Sequence, residues 1–186
     1  MAEKRDALFE TGAELSVPAA PGDIYALLSD LCNSPLWSNE CVGGQWVSGG
    51  PGEVGSVFRG DNERSAEVVA WAPVARGRWS TYAEVVRATP GEEFAWAMRD
   101  HAGRAQDSVW SFTITPVDGG SLLAHRFRMG RPTEGIREIT SGMTEDERKR
   151  FRREWAGKLA RDLSATVRRI RTVLETRPVG VRTGKV

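Results

Sequence analysis

Two cysteines and two histidines in 186 residues leave little from which to build a disulfide scaffold or a metal centre. Cys32 and Cys41 are expected to stay reduced, and neither stands at zinc-ligand spacing from His101 or His125. The opening Met1-Ala2-Glu3-Lys4-Arg5-Asp6 has no apolar run of the signal-peptide kind. No stretch nears the roughly 18–20 apolar residues of a membrane span. A cytoplasmic location is the expectation. Also missing are a phosphate-cradling glycine loop, a Ser/His/Asp constellation and a pair of carboxylates at catalytic spacing. No cofactor and no metal are expected.

The chain is 40% hydrophobic and 27% charged, the balance of a folded soluble protein. Its length suits one domain, expected over 1–177, with a flexible basic tail over 178–186. Arginine far outnumbers lysine, a usage that points to a GC-rich bacterial genome more than to a function. Net charge is +1 but unevenly placed. Residues 1–143 hold 13 Lys/Arg against 19 Asp/Glu, and residues 144–186 hold 13 against 6. The basic segment interleaves Glu154 and Asp162 with its arginines, so a solvated helix face is expected rather than a nucleic-acid partner.

Phe9, Thr11, Ala13, Leu15 and Val17 alternate with polar residues, which predicts a half-buried strand closed by Pro18 and Pro21. Ile24, Leu27, Leu28 and Leu31 then follow helical spacing. Ser34-Pro35 offers an N-cap with proline at the first helical position, predicting a second, very short helix that holds Trp37. Six strands are expected over 42–48, 54–62, 77–88, 92–100, 107–117 and 121–129, separated by turns such as Gly49-Gly50-Pro51-Gly52, Pro90-Gly91 and Asp118-Gly119-Gly120. Short turns between successive strands imply an antiparallel meander.

Alternation also assigns an inner face. Phe94, Trp96 and Met98 share it, as do Trp110, Phe112 and Ile114, then Leu123, His125, Phe127 and Met129, with Trp79, Thr81, Ala83 and Val85 a less apolar set. So aromatic a face needs a cover. Thr144-Glu145-Asp146-Glu147 has the form of a capping box. From Phe151 through Trp155, Leu159, Leu163, Val167 and Ile170 to Leu174, apolar residues recur every three or four positions. A helix over 144–175 would be ~48 Å long. The expected fold is α+β: a seven-stranded curved antiparallel sheet gripping a long C-terminal helix, with two short helices after the first strand.

Several stretches, in their order and spacing, carry a family likeness. They are Trp37-Ser38-Asn39-Glu40, Gly43-Gly44-Gln45-Trp46, the run from Gly55 to Asn62, Arg78-Trp79-Ser80-Thr81, Phe94-Ala95-Trp96, Trp110-Ser111-Phe112, and His125 to Gly130. The chain resembles the START-like (SRPBCC, Bet v 1-like) superfamily over roughly residues 8–175, in particular its bacterial polyketide cyclase/dehydrase and lipid-transport branch. The resemblance implies a helix-grip fold with a cavity between sheet and helix. It departs from the family pattern at Glu63–Gly77, where an apolar insert with Val68, Val69, Trp71 and Val74 stands between two strands. A lid, a homodimer contact and a merely lengthened hairpin are the three readings of that insert.

The candidate lining of such a cavity is Trp37, Phe58, Trp79, Trp96, Trp110, Phe112, Phe127, Trp155 and Leu159, residues that could equally form solid core. His125 is the candidate catalytic group, an imidazole among apolar neighbours that burial would keep neutral and able to shuttle a proton. A core histidine satisfied by a neighbour is the alternative. Glu40 and Asn62 are candidates to hydrogen-bond a ligand, or else ordinary turn residues. Three functions follow, in order. The first is a carrier of a small hydrophobic, lipid- or polyketide-like ligand. The second is a polyketide cyclase or dehydratase using cavity shape and His125. The third is a protein-interaction module built on the 63–77 insert.

Overall fold

The computed structural model describes residues 7–176; the basic tail expected over 178–186 lies outside them. Its elements run β1 (Phe9–Val17), α1 (Pro21–Leu28), a 3-10 helix (Leu31–Leu36), β2 (Cys41–Ser48), β3 (Val57–Arg64), β4 (Gly77–Thr89), β5 (Glu93–Arg99), β6 (Ala105–Val117), β7 (Gly120–Met129), α2 (Glu134–Thr140) and α3 (Glu145–Thr176). The seven strands form one sheet in the order β1-β7-β6-β5-β4-β3-β2, with every pairing antiparallel. This is the helix-grip arrangement.

Register explains the aromatic face. Ala13 on β1 pairs with His125, His125 with Phe112 and Phe112 with Phe94. One row along, Thr11, Phe127, Trp110, Trp96 and Val85 are successive partners. Cross-strand neighbours sit close enough for their rings to touch, so each row becomes a ladder of aromatic contacts. Irregular pairing between Val85 and Arg87 and between Ala97 and Arg99 inserts extra residues that bend the strands, which curves the sheet.

The long helix begins as its capping box requires. Glu147 N donates to Thr144 Oγ1 at 3.3 Å, and Thr144 N donates to Glu147 Oε2 at 2.8 Å. Two apolar clusters divide its inner stripe. Phe151, Trp155, Leu159 and Leu163 pack with Phe9, Phe127, Met129 and α2, whereas Val167 and Ile170 pack with α1, Trp37, Phe94 and Phe112. The outer cations are largely tied down locally, for example Arg150 to Glu154 and Arg171 to Glu175, both at 2.7 Å. Among the described residues no helix is long and apolar enough to cross a membrane.

Three elements differ from the sequence expectation. The short helix after α1 is a 3-10 helix capped by Asp30, whose carboxylate accepts from Cys32 N. Ser34 and Pro35 lie inside it rather than at its start, and Trp37 follows its last residue. The helix α2 was not foreseen: seven residues with one buried apolar side chain, Ile136, give too little periodicity to read. Strand β3 starts at Val57, because Pro51–Ser56 is spent turning the chain.

The 63–77 insert joins the paired strands β3 and β4 through a long loop. Pairing ends at Arg64 and Gly77, and the loop between them folds back onto α3. Ala72 and Val74 are buried in the cluster around Phe151, and Trp71 Nε1 donates to Glu154 Oε2 at 2.7 Å. One guanidinium organises the turn: Arg76 donates to the carbonyls of Ala66, Val69, Ala70 and Ala72. Ala72 and Val74 are thus spent inside the molecule, whereas Val68, Val69 and Trp71 are half-buried against it.

Candidate functional site

The sheet does not close down on α3. Between them lies a space of about 890 Å³, within the range of small-molecule sites. Trp37 from the end of the 3-10 helix, Phe58 and Asn62 from β3, and Trp79 from β4 line it. Trp96, Trp110, His125 and Phe127 add the rest of the sheet wall, and Trp155 and Leu159 face them from α3. Phe112 is different. It is fully buried behind that wall, edge-on to Trp37 at 5.4 Å and stacked on His125 at 4.2 Å, so it supports lining residues instead of joining them.

His125 sits where alternation put it, 3% exposed on the inner face of β7. Trp96 lies 6.4 Å and Trp110 5.7 Å from its ring. Neither imidazole nitrogen has a hydrogen-bond partner among the described residues. Burial therefore acts alone and pushes its pKa down to about 3, so the ring is neutral across the physiological range. The indole nitrogen of Trp37 is likewise buried without a partner.

Asn62 is held inside the sheet: its amide donates to Gly60 O and to Thr81 Oγ1. Glu40 lines the same space from the bend before β2, and its carboxylate is already engaged. Arg64 grips it with two bonds of 2.6 and 2.9 Å, and Lys158 reaches the same carboxylate at 2.6 Å. Lys158 also meets Asp162 at 2.6 Å, and Asp162 accepts from Asn39 at 2.9 Å. Burial by itself would raise the pKa of Glu40, but the bonds and charges of Arg64 and Lys158 override it and hold the carboxyl below its usual value. The Arg64 guanidinium lies over Trp79 at 4.4 Å and Trp155 at 5.1 Å. An apolar wall thus ends in a compact group of four paired charges.

Asp162 was expected on a solvated helix face, and Arg64 and Lys158 were not expected at a site, although both had a signal. Arg64 continues the inward set Phe58, Gly60, Asn62 by strict alternation. Lys158 falls on the inner stripe of α3, three residues after Trp155. Charge alone made both look like surface residues. His101 is exposed, and its ring meets Glu134 at the start of α2 at 2.8 Å. Cys32 and Cys41 are both free. Among the described residues no His/Cys/Asp/Glu group is arranged to hold a metal.

Comparison with other proteins adds to this geometry. A family model described as polyketide cyclase / dehydrase and lipid transport matches residues 10–175. No curated protein matches the chain. Among solved structures, a polyketide-cyclase-like protein from Corynebacterium glutamicum is 22% identical, with 91% of this chain and 93% of that one covered and a TM-score of 0.56. The di-domain ARO/CYC StfQ from the steffimycin biosynthetic pathway is 18% identical, with 93% of this chain and 52% of that one covered and a TM-score of 0.63. DynU16, from the dynemicin biosynthetic locus, is 16% identical, with 90% and 47% covered and a TM-score of 0.53. This chain spans about half the length of the last two. At such identities the likeness is one of fold.

Proposed function

This chain belongs to the polyketide cyclase / dehydrase and lipid transport family, and we propose that it holds a small hydrophobic, lipid- or polyketide-like metabolite between its sheet and α3. The observation that carries the proposal is the unfilled space of about 890 Å³ walled by five indole rings, those of Trp37, Trp79, Trp96, Trp110 and Trp155. Protein interiors pack densely, so apolar residues left around a void of this size forfeit dispersion contacts that a guest would restore. Five indoles also make the test direct. A ring compound entering the space should quench tryptophan fluorescence saturably, and native mass spectrometry of freshly purified protein should show a co-purified small molecule. Neither quenching nor adduct would remove the reading.

A second reading is a cyclase or dehydratase, supported by His125 in the wall and by the fold shared with StfQ, itself described as ARO/CYC. With a pKa of about 3, His125 is a weak base. Confinement of a flexible chain in a reactive shape would then supply most of the rate enhancement. Under this reading His125→Ala lowers turnover by far more than it weakens ligand binding; unchanged turnover removes His125 from the chemistry.

A further inference from the structure

The wall of the cavity holds two polar side chains that the packing leaves unsatisfied. His125 is 3% exposed and Trp37 4% exposed, and none of their three ring nitrogens has a partner among the described residues. They belong to one nest: both touch Phe112, and Trp96 lies 6.3 Å from Trp37 and 6.4 Å from His125. Buried polar atoms are nearly always bonded, and each exception asks for a reason. Here two exceptions stand together on a cavity wall.

We propose that Trp37 and His125 form a recognition pair for an uncharged oxygen, a hydroxyl or carbonyl, carried by the ring system of the bound ligand. The inference rests on the ligand-binding reading above and adds the chemistry of the ligand's inner end. Trp37 Nε1 can only donate, whereas a neutral imidazole donates from one nitrogen and accepts at the other. A carbonyl can take a bond donated by either ring; a hydroxyl can accept from the indole, or both accept from and donate to the imidazole. A carboxylate or phosphate is disfavoured there. The cations lining the cavity are already engaged: Arg64 and Lys158 with Glu40 and Asp162, and Arg99 with Glu84 and the carbonyl of Gly103. The faces of the imidazole are taken up by stacking, on Phe112 at 4.2 Å, so only its edge is left for bonding.

The nitrogens are sealed as the rings stand, because no solvent-accessible surface reaches them. A ligand oxygen meets them only when a neighbouring ring gives way. Trp110 is suited to that part. It lines the cavity, is only half-buried, and lies 5.7 Å from the His125 ring.

The test uses 2-naphthol and naphthalene, which differ by one hydroxyl, titrated into the whole protein with tryptophan quenching as the readout. Wild type should prefer 2-naphthol by about tenfold or more, the worth of satisfying a buried polar group. His125→Phe and Trp37→Phe should each bring the ratio towards one, and His125→Gln, which keeps a donor and an acceptor, should retain part of it. Should His125→Phe fail to fold, His125→Gln and Trp37→Phe decide the matter. Equal affinity for the two probes in wild type, or a preference that survives both phenylalanine variants, overturns the pair while leaving the cavity reading intact. If neither probe binds wild type, the cavity reading fails and the pair falls with it.

Discussion

The two ends of the cavity wall bury ionisable groups by opposite means. Around Glu40, four charged side chains are packed so that each finds a partner within 3 Å. Around His125, rings surround an imidazole that has no partner among the described residues, and the group gives up its charge instead. Taking an ion out of water costs several kcal/mol unless a counter-charge repays it, so a chain can pair the group or neutralise it. The difference matters for use. Paired charges fix three elements together, since Glu40 precedes β2, Arg64 ends β3 and Lys158 lies on α3. An unpaired neutral ring leaves bonding capacity free for a guest.

Removing the hub of the paired end should have the largest effect. Glu40→Gln leaves Arg64 and Lys158 buried against a neutral amide and should lower unfolding stability by about 3 kcal/mol in urea titration. Lys158→Met should cost less, about 1 kcal/mol, because Glu40 keeps Arg64 and Asp162 keeps Asn39. If the two variants lose equally, Glu40 is not the hub.

Acid separates the ends further. The depressed pKa of His125 means that the unfolded chain takes up a proton below about 6.5 that the folded chain refuses until about 3. Stability from this group is complete above 6.5 and drains away as pH falls through that window, at up to about 1.4 kcal/mol per pH unit. Glu40 is depressed too, from 4.5, so its contribution is present above that value and is lost only in stronger acid. Between pH 6.5 and 5 the slope due to His125 should vanish in His125→Phe and persist in Glu40→Gln. At pH 8, His125→Phe should be near neutral for stability or gain up to about 1 kcal/mol, since it removes two unpaired nitrogens from an aromatic nest. A loss of several kcal/mol there would mean that the imidazole has a partner.

How far such contrasts could be read in advance depended on the kind of residue. Period-two alternation needs only apolar runs between turns, and it placed His125 between Leu123 and Phe127 and set the aromatic rows. It also reached Trp96 and Trp110, which line the space, but it could not rank depth, so Phe112 looked the same as its neighbours although it is fully buried. Charged residues were the blind spot. Arg64 and Lys158 share the inward periodicity, yet a buried cation is credible only once its counter-charge is known, and Glu40 comes from 24 and 118 residues away in the chain. The 3-10 helix and α2 escaped for a simpler reason: an element of six or seven residues repeats its pattern too few times.

The insert offers the smallest and most local test, at a third place where the chain packs side chains against α3. Val74 is 4% exposed, packed in the cluster around Phe151, while Trp71 is half-buried and bonded to Glu154 with Arg150 4.5 Å from its ring. If the loop is a fixed wall, Val74→Ala opens a small void and should cost about 1 kcal/mol. The same variant should leave the acid slope between pH 6.5 and 5 unchanged, because His125 is in the other cluster's aromatic nest and is not touched by Val74. The outer bond of Arg64 also ends here, on the carbonyl of Ala75 at 2.9 Å. Val74→Ala should therefore weaken the Glu40 end slightly and the His125 end not at all, and an effect on the naphthol preference would show that the loop gates the cavity as well as walling it.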